Sequence, residues 1–190
     1  MQSIARAGQA DQTINKSRFV AVAEYCADER AVALFLRRLA GEHAHAHHLA
    51  FAFQLKTAGG IVQRMNDAGE PSGTAGRPIL QHLEGRQLVN ACVGVIRYYG
   101  GINLGTGGLA RAYGGTAKLA IDAAGIVPFV EMRQMKIVLD YANLDRFMRE
   151  IERLNGTILD KQFGEKVEVI ASLPADQAED LRRRFGAISD

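Results

Sequence analysis

Apolar and polar positions along the chain follow two periods, and their alternation sets out the elements. Residues 19–25, Phe-Val-Ala-Val-Ala-Glu-Tyr, read as a strand. Asp28 is placed to cap a helix running to about Leu39, with Gly41 just beyond its end. Residues 49–55 alternate as a strand, and Ala58-Gly59-Gly60 turns the chain into another over 61–65. Pro78 suits the first turn of a short helix that reaches Glu84 and stops at Gly85. Residues 88–98 are apolar and β-prone throughout, which predicts a central strand. Glycine-rich residues 100–108 then open a helix that runs to Ala124, with Gly125 at its end.

The last third repeats the pattern on a smaller scale. Residues 135–139 read as a strand, and Leu144, Phe147, Met148, Ile151 and Leu154 fall on one helical face that Asn155-Gly156 ends. Strands are predicted over 157–163 and 167–173. Pro174 begins a final helix, acidic early and basic late in the favourable sense for its dipole. This β-α-β-β-α order is close to a ferredoxin-like domain, one element short. Pro128, in the connecting stretch 127–133, marks a boundary. The chain is therefore read as α+β in two domains, residues 1–130 and residues 131–190.

Composition narrows the function classes. The 190 residues are 47% hydrophobic and 23% charged, as in a soluble folded protein. No stretch approaches the ~18 uninterrupted apolar residues of a membrane span. The first residues, MQSIARAGQADQ, lack the apolar core of a signal peptide, so a cytoplasmic location without membrane contact is expected. Two cysteines, Cys26 and Cys92, are too few for a disulfide framework and are expected as buried free thiols. The absence of Trp argues against a surface of base-stacking rings. Net charge is +2, but residues 1–130 carry 13 Lys+Arg against 9 Asp+Glu, and residues 131–190 carry 10 against 12. The excess of +4 sits within residues 56–118 and suits a phosphate-bearing partner.

Three stretches could carry chemistry. Residues 66–78 form a long loop of carboxylates, hydroxyls and an arginine, with Asp67, Glu70, Ser72 and Thr74 as candidate site-lining residues and Arg77 beside them. Its alternative is a surface loop that satisfies its own backbone. Residues 97–114 place a glycine loop between a strand and a helix, so free N–H groups at the helix start would attract an anion. Arg97, Gly105, Thr106, Gly107, Gly108 and Arg111 are the candidate phosphate or nucleic-acid contacts; close helix–sheet packing is the alternative. The stretch is neither a Walker loop nor a convincing dinucleotide fingerprint. Third, His43, His45, His47 and His48 precede a strand, and alternate histidines on a strand share a face. With no carboxylate or thiolate assigned to complete a site, they are read as exposed histidines, His48 as possible site lining, and no metal is assigned. No catalytic residue and no cofactor is assigned.

At these loops the chain resembles the IMPACT family, in its bacterial branch. The segments are 67–78, DAGEPSGTAGRP, and 97–114, RYYGGINLGTGGLARAYG, joined by Ser17-Arg18-Phe19 and Ala46-His47-His48. The resemblance covers roughly residues 14–125. It implies an N-terminal domain with the β-α-β arrangement of a ribosomal-protein or elongation-factor domain, and a ferredoxin-like C-terminal domain with little room for its last strand. Asn103 stands where the family usually has Lys, and Ala50 where bacterial members often have Cys, so no thiol mechanism is carried over. The function expected is a translation-associated binding protein that contacts RNA or the ribosome, with a possible protein partner on the C-terminal domain. The alternative is an enzyme acting on a small phosphorylated or nucleotide ligand.

Overall fold

The structure, a computed structural model, describes residues 1–185. The chain divides into two compact units, Met1–Phe129 and a second that begins at Val130.

The first unit is built on β2 (Gly8–Ile14), β3 (Ser17–Tyr25), β4 (His48–Thr57), β5 (Gly60–Asn66) and β6 (Ala91–Tyr98), with helices α1 (Glu29–Glu42), α2 (Gly76–Gly85) and α3 (Gly105–Ala124). The strand order is β2-β3-β6-β4-β5, every neighbouring pair antiparallel. β3 and β4 thus run parallel on either side of β6, and with α1 they form a split β-α-β unit. Short strands β1 (Gln2–Ile4) and β7 (Ile126–Pro128) pair separately.

The apolar run of β6 is explained by burial on both faces. Ala91, Val93 and Val95 enter a core with Ile79, Leu83, Tyr113 and Ile121 of α2 and α3. Cys92 and Ile96 enter a second core with Phe35 and Leu39 of α1. Both cysteines are buried free thiols.

Three local readings are revised. β2 was not anticipated, because of the positions it turns inward, Gly8, Ala10, Gln12 and Ile14, only Ile14 is large and apolar; α3 supplies the apolar cover and Gln12 donates to Thr116. Helix α1 runs through Gly41 to Glu42, since the His43 N–H reaches Leu39 O at 3.0 Å and its ring meets the Tyr98 hydroxyl at 2.7 Å. The histidines do not share one strand face: His43 ends α1, His47 accepts from the Tyr99 N–H, and only His48 lies in β4. Among the described residues no group of three His, Cys, Asp or Glu could hold a metal ion, and no helix is long and apolar enough to cross a membrane.

The second unit contains β8 (Met132–Leu139), α4 (Tyr141–Arg153), β9 (Thr157–Phe163), β10 (Val167–Pro174) and α5 (Ala175–Phe185), with antiparallel sheet order β8-β10-β9. This is the ferredoxin-like order without a fourth strand among the described residues; residues 186–190 lie outside them. Alternate residues of β10, Val167, Val169, Ala171 and Leu173, pack on Phe147, Ile151 and Leu181. Glu150 of α4 joins Arg153 and, across to α5, Arg184; these two hold its carboxyl down at about 2.

The tightest helix–strand approach is at Gly8, where a Cβ would stand 2.3 Å from Ala120 O of α3. Gly8→Ala is expected to cost about 1–3 kcal/mol, the usual range for overpacking. An unchanged denaturant midpoint would show that α3 can shift freely from β2.

Candidate functional site

The two loops singled out in the sequence meet at the end of the sheet covered by α2 and α3. Phe19 of β3, Arg97 of β6 and His48 of β4 lie in one cross-strand row. Strand parity aims Arg97 the same way as Val93 and Val95, into that side of the sheet. Its side chain is only 6% exposed and needs a buried anion. Glu70, 4% exposed, reaches in from the loop after β5 and accepts from Arg97 Nη1 on Oε1 at 2.7 Å. Tyr113 of α3 donates to the same oxygen at 2.7 Å. Burial, and then this bond, push the Tyr113 phenol far above its ordinary range, so it stays a donor.

His48 completes the cluster. Its Nδ1 lies 2.8 Å from Ala68 O, a contact that requires the proton on Nδ1. That leaves Nε2 facing Glu70 Oε1 at 3.8 Å. Ser17 Oγ accepts from Arg97 Nη2 at 3.3 Å and from the Gly100 N–H at 3.2 Å, which ties the second loop to β3. The guanidinium also lies over the rings of Phe19 and Tyr99, and its Nε has no hydrogen-bond partner.

Asp67 organises the first loop. Its carboxylate accepts from the N–H groups of Gly73 at 2.9 Å, Ala75 at 2.9 Å and Gly76 at 2.8 Å, so it caps α2 from outside the helix. Partial burial alone would raise its pKa; the three amide bonds outweigh that and hold it below the usual range. Thr74 is buried and donates to Pro71 O, whereas Ser72 is exposed.

The anion-binding residues expected from the sequence are not all brought together. Arg97 is turned inward and neutralised by Glu70. Arg77 is exposed and lies 3.6 Å from Glu84 on its own helix. What remains is the start of α3. That helix has 20 residues, no side-chain cap and no acidic residue in its first turn. Gly105, Thr106 and Gly107 are exposed there. Arg111 is exposed and curls back until Nη1 lies 3.4 Å from where a Cβ on Gly107 would stand. Beside it runs a groove of about 510 Å³ between β2 and α3, lined by Gln12, Ile14, Leu104, Arg111, Lys118 and Leu119 among others. Sequence reasoning missed Tyr113 as a partner of Glu70 and Ser17 as a partner of Arg97; the available signal was the parity of β6, which makes Arg97 an inward residue.

Removing one member of a buried ion pair strands the other, so Arg97→Ala or Glu70→Ala is expected to cost about 3–5 kcal/mol. An apolar set, Arg97→Met with Glu70→Leu and Tyr113→Phe, which leaves no phenol donor stranded, is expected to recover most of that loss in urea unfolding. Asp67→Ala is expected to cost about 1–2 kcal/mol, as for a lost helix cap. Because folding lowers the Asp67 pKa, its contribution is present at neutral pH and lost as pH falls below about 4. Wild type and Asp67→Ala should therefore converge in stability in acid; a constant gap down to acid would contradict the capping role.

Residues 15–121 match the Impact N-terminal domain, and residues 137–189 match DUF1949, a domain of unknown function. The IMPACT family member YvyE of Bacillus subtilis is 35% identical over 166 residues, covering 87% of this chain and 76% of that protein. The IMPACT family member YigZ of Escherichia coli is 29% identical over 179 residues, covering 94% and 88%. A crystal structure of a hypothetical protein is similar with a TM-score of 0.70 and 28% identity, over 96% of this chain and 89% of that one. With the Impact N-terminal domain matching more than half of the chain and a family member 35% identical over most of its length, the chain belongs to the IMPACT family.

Proposed function

We propose that this chain is a cytoplasmic, translation-associated binding protein that contacts RNA or the ribosome through the start of α3. The observation that carries the reading is a helix N-terminus without a side-chain cap and an arginine folded over it that has no ion-pair partner among the described residues. A helix start holds partial positive charge, and a guanidinium beside it raises the local potential further. A phosphate at this point would accept from the amides of Gly105 to Gly108 and pair with Arg111. Such contacts hold a nucleic-acid backbone without reading its sequence. Arg97 serves by holding the loop that leads into α3. The acidic balance of residues 131–190 leaves that unit for a protein partner.

A second reading, an enzyme acting on a small phosphorylated or nucleotide ligand, is favoured by the groove beside Arg111, whose volume falls in the range of small-molecule sites.

Co-sedimentation with ribosomal particles and filter binding to single-stranded RNA across a salt series test the first reading. Affinity is expected to fall linearly on a log–log scale, and Arg111→Ala to reduce the slope by about 1 without changing the melting temperature. Failure to bind at low salt overturns it. A melting-temperature screen with ATP, GTP and sugar phosphates tests the second reading, since saturation at 100-fold over Kd stabilises by about 2.7 kcal/mol; a flat response removes it.

A further inference from the structure

The five-stranded sheet ends in two edges, β2 and β5. An edge strand leaves a row of backbone donors and acceptors open to another strand, and proteins commonly blunt it with proline, lysine, bulges or a covering element. β2 has such a cover in α3, which crosses it at Gly8. β5 is less protected: α2 approaches its backbone at Asn66, and its one charged residue, Arg64, lies 3.4 Å from Glu29 of α1. The strand contains no Pro and no Lys, and it pairs with β4 without a bulge. Five of its seven residues are exposed, including Ile61 at 52% and Met65 at 46%.

The sequence of β5 is complementary to itself. In an antiparallel pair about a two-fold axis normal to the sheet, full overlap of Gly60–Asn66 centres on Gln63. Ile61 then lies opposite Met65 of the second copy, and Met65 opposite Ile61, on one face. Val62 lies opposite Arg64 on the other face, and Gly60 opposite Asn66. No charge meets its like. Sliding the centre one residue onward sets Arg64 against Arg64, a destabilising pair, and shortens the overlap. Gln63 already accepts from Gln54 Nε2 at 2.9 Å, which leaves its own amide N–H groups to donate across the axis. Ile61, Gln63 and Met65 share their face with Ala52, Gln54 and Lys56 of β4, so the apolar pairs would continue the existing side of the sheet.

We propose that β5 is a homodimer seam, where two copies of this chain join edge to edge into one continuous ten-stranded sheet. The register is isologous, as a closed two-fold dimer requires. The seam does not use α3 and meets the first loop only at Asn66, so it stands apart from the RNA reading.

Sedimentation equilibrium from micromolar to hundred-micromolar protein tests this on the full chain. Wild type is expected at twice 20.7 kDa at the upper end. Ile61→Lys with Met65→Lys sets like charges opposite each other twice and is expected at the mass of one chain throughout. Ile61→Asp with Met65→Arg sets opposite charges in the same places and is expected to restore the dimer in a salt-sensitive form. Circular dichroism should show both variants folded, since both positions are half exposed. Amide exchange in β5 should slow with concentration in wild type and not in the Lys variant. A wild type at single-chain mass at hundred-micromolar concentration overturns the proposal, as does a dimer that survives the Lys substitutions or capture of an unrelated extended peptide by a monomeric wild type.

Discussion

One buried charge pair conditions the functional end of the first unit. Arg97 and Glu70 are both removed from water, and neither could remain there without the other. Their contact also joins distant segments. Glu70 belongs to the loop that starts α2, Arg97 to the central strand, Tyr113 to α3 and Ser17 to β3. The loop before α3 is held at Gly100 through Ser17, so the direction in which that helix begins depends on the same cluster. The exposed start of α3 is therefore tied through Gly100 and Ser17 to the buried pair.

Polar networks in the two units differ in kind. The cluster at Glu70 is largely buried and directional, with an imidazole, a phenol and a guanidinium around one carboxylate oxygen. The network at Glu150 in the second unit joins a half-buried carboxylate to the exposed guanidinium groups of Arg153 and Arg184. Salt screens the latter and leaves the former largely untouched, so the two units differ in how their electrostatics respond to ionic strength.

Most elements could be read from the residues because burial and apolar character coincide there. β6, α4 and β10 are examples, each with the period its geometry demands. β2 is the counterexample, since its inward positions carry little hydrophobic signal and its place is decided by α3 lying over it. Gly41 continues a helix because His43 and Tyr98 hold the last turn from outside it. At the site, the residue types were visible and their pairing was not. Arg97 read as a phosphate contact because it ends a strand just before the glycine loop. The two-residue period of β6 places it with Val93 and Val95, and a buried arginine then calls for a carboxylate such as Glu70. What no local pattern reveals is the register that brings residues 17, 70, 97 and 113 to one point.

The position of β6 also bears on how the chain is assembled. It lies between β3 and β4 in space but follows both in the sequence, and Arg18 finds Tyr98 across eighty residues. As the polypeptide emerges during synthesis, β3 waits with one flank open, and the β4–β5 hairpin has formed with nothing to lean on. The sheet closes only when the middle strand arrives and wedges between them. Such late insertion makes for slow, non-local folding and a nascent chain that exposes sticky flanks for most of its elongation.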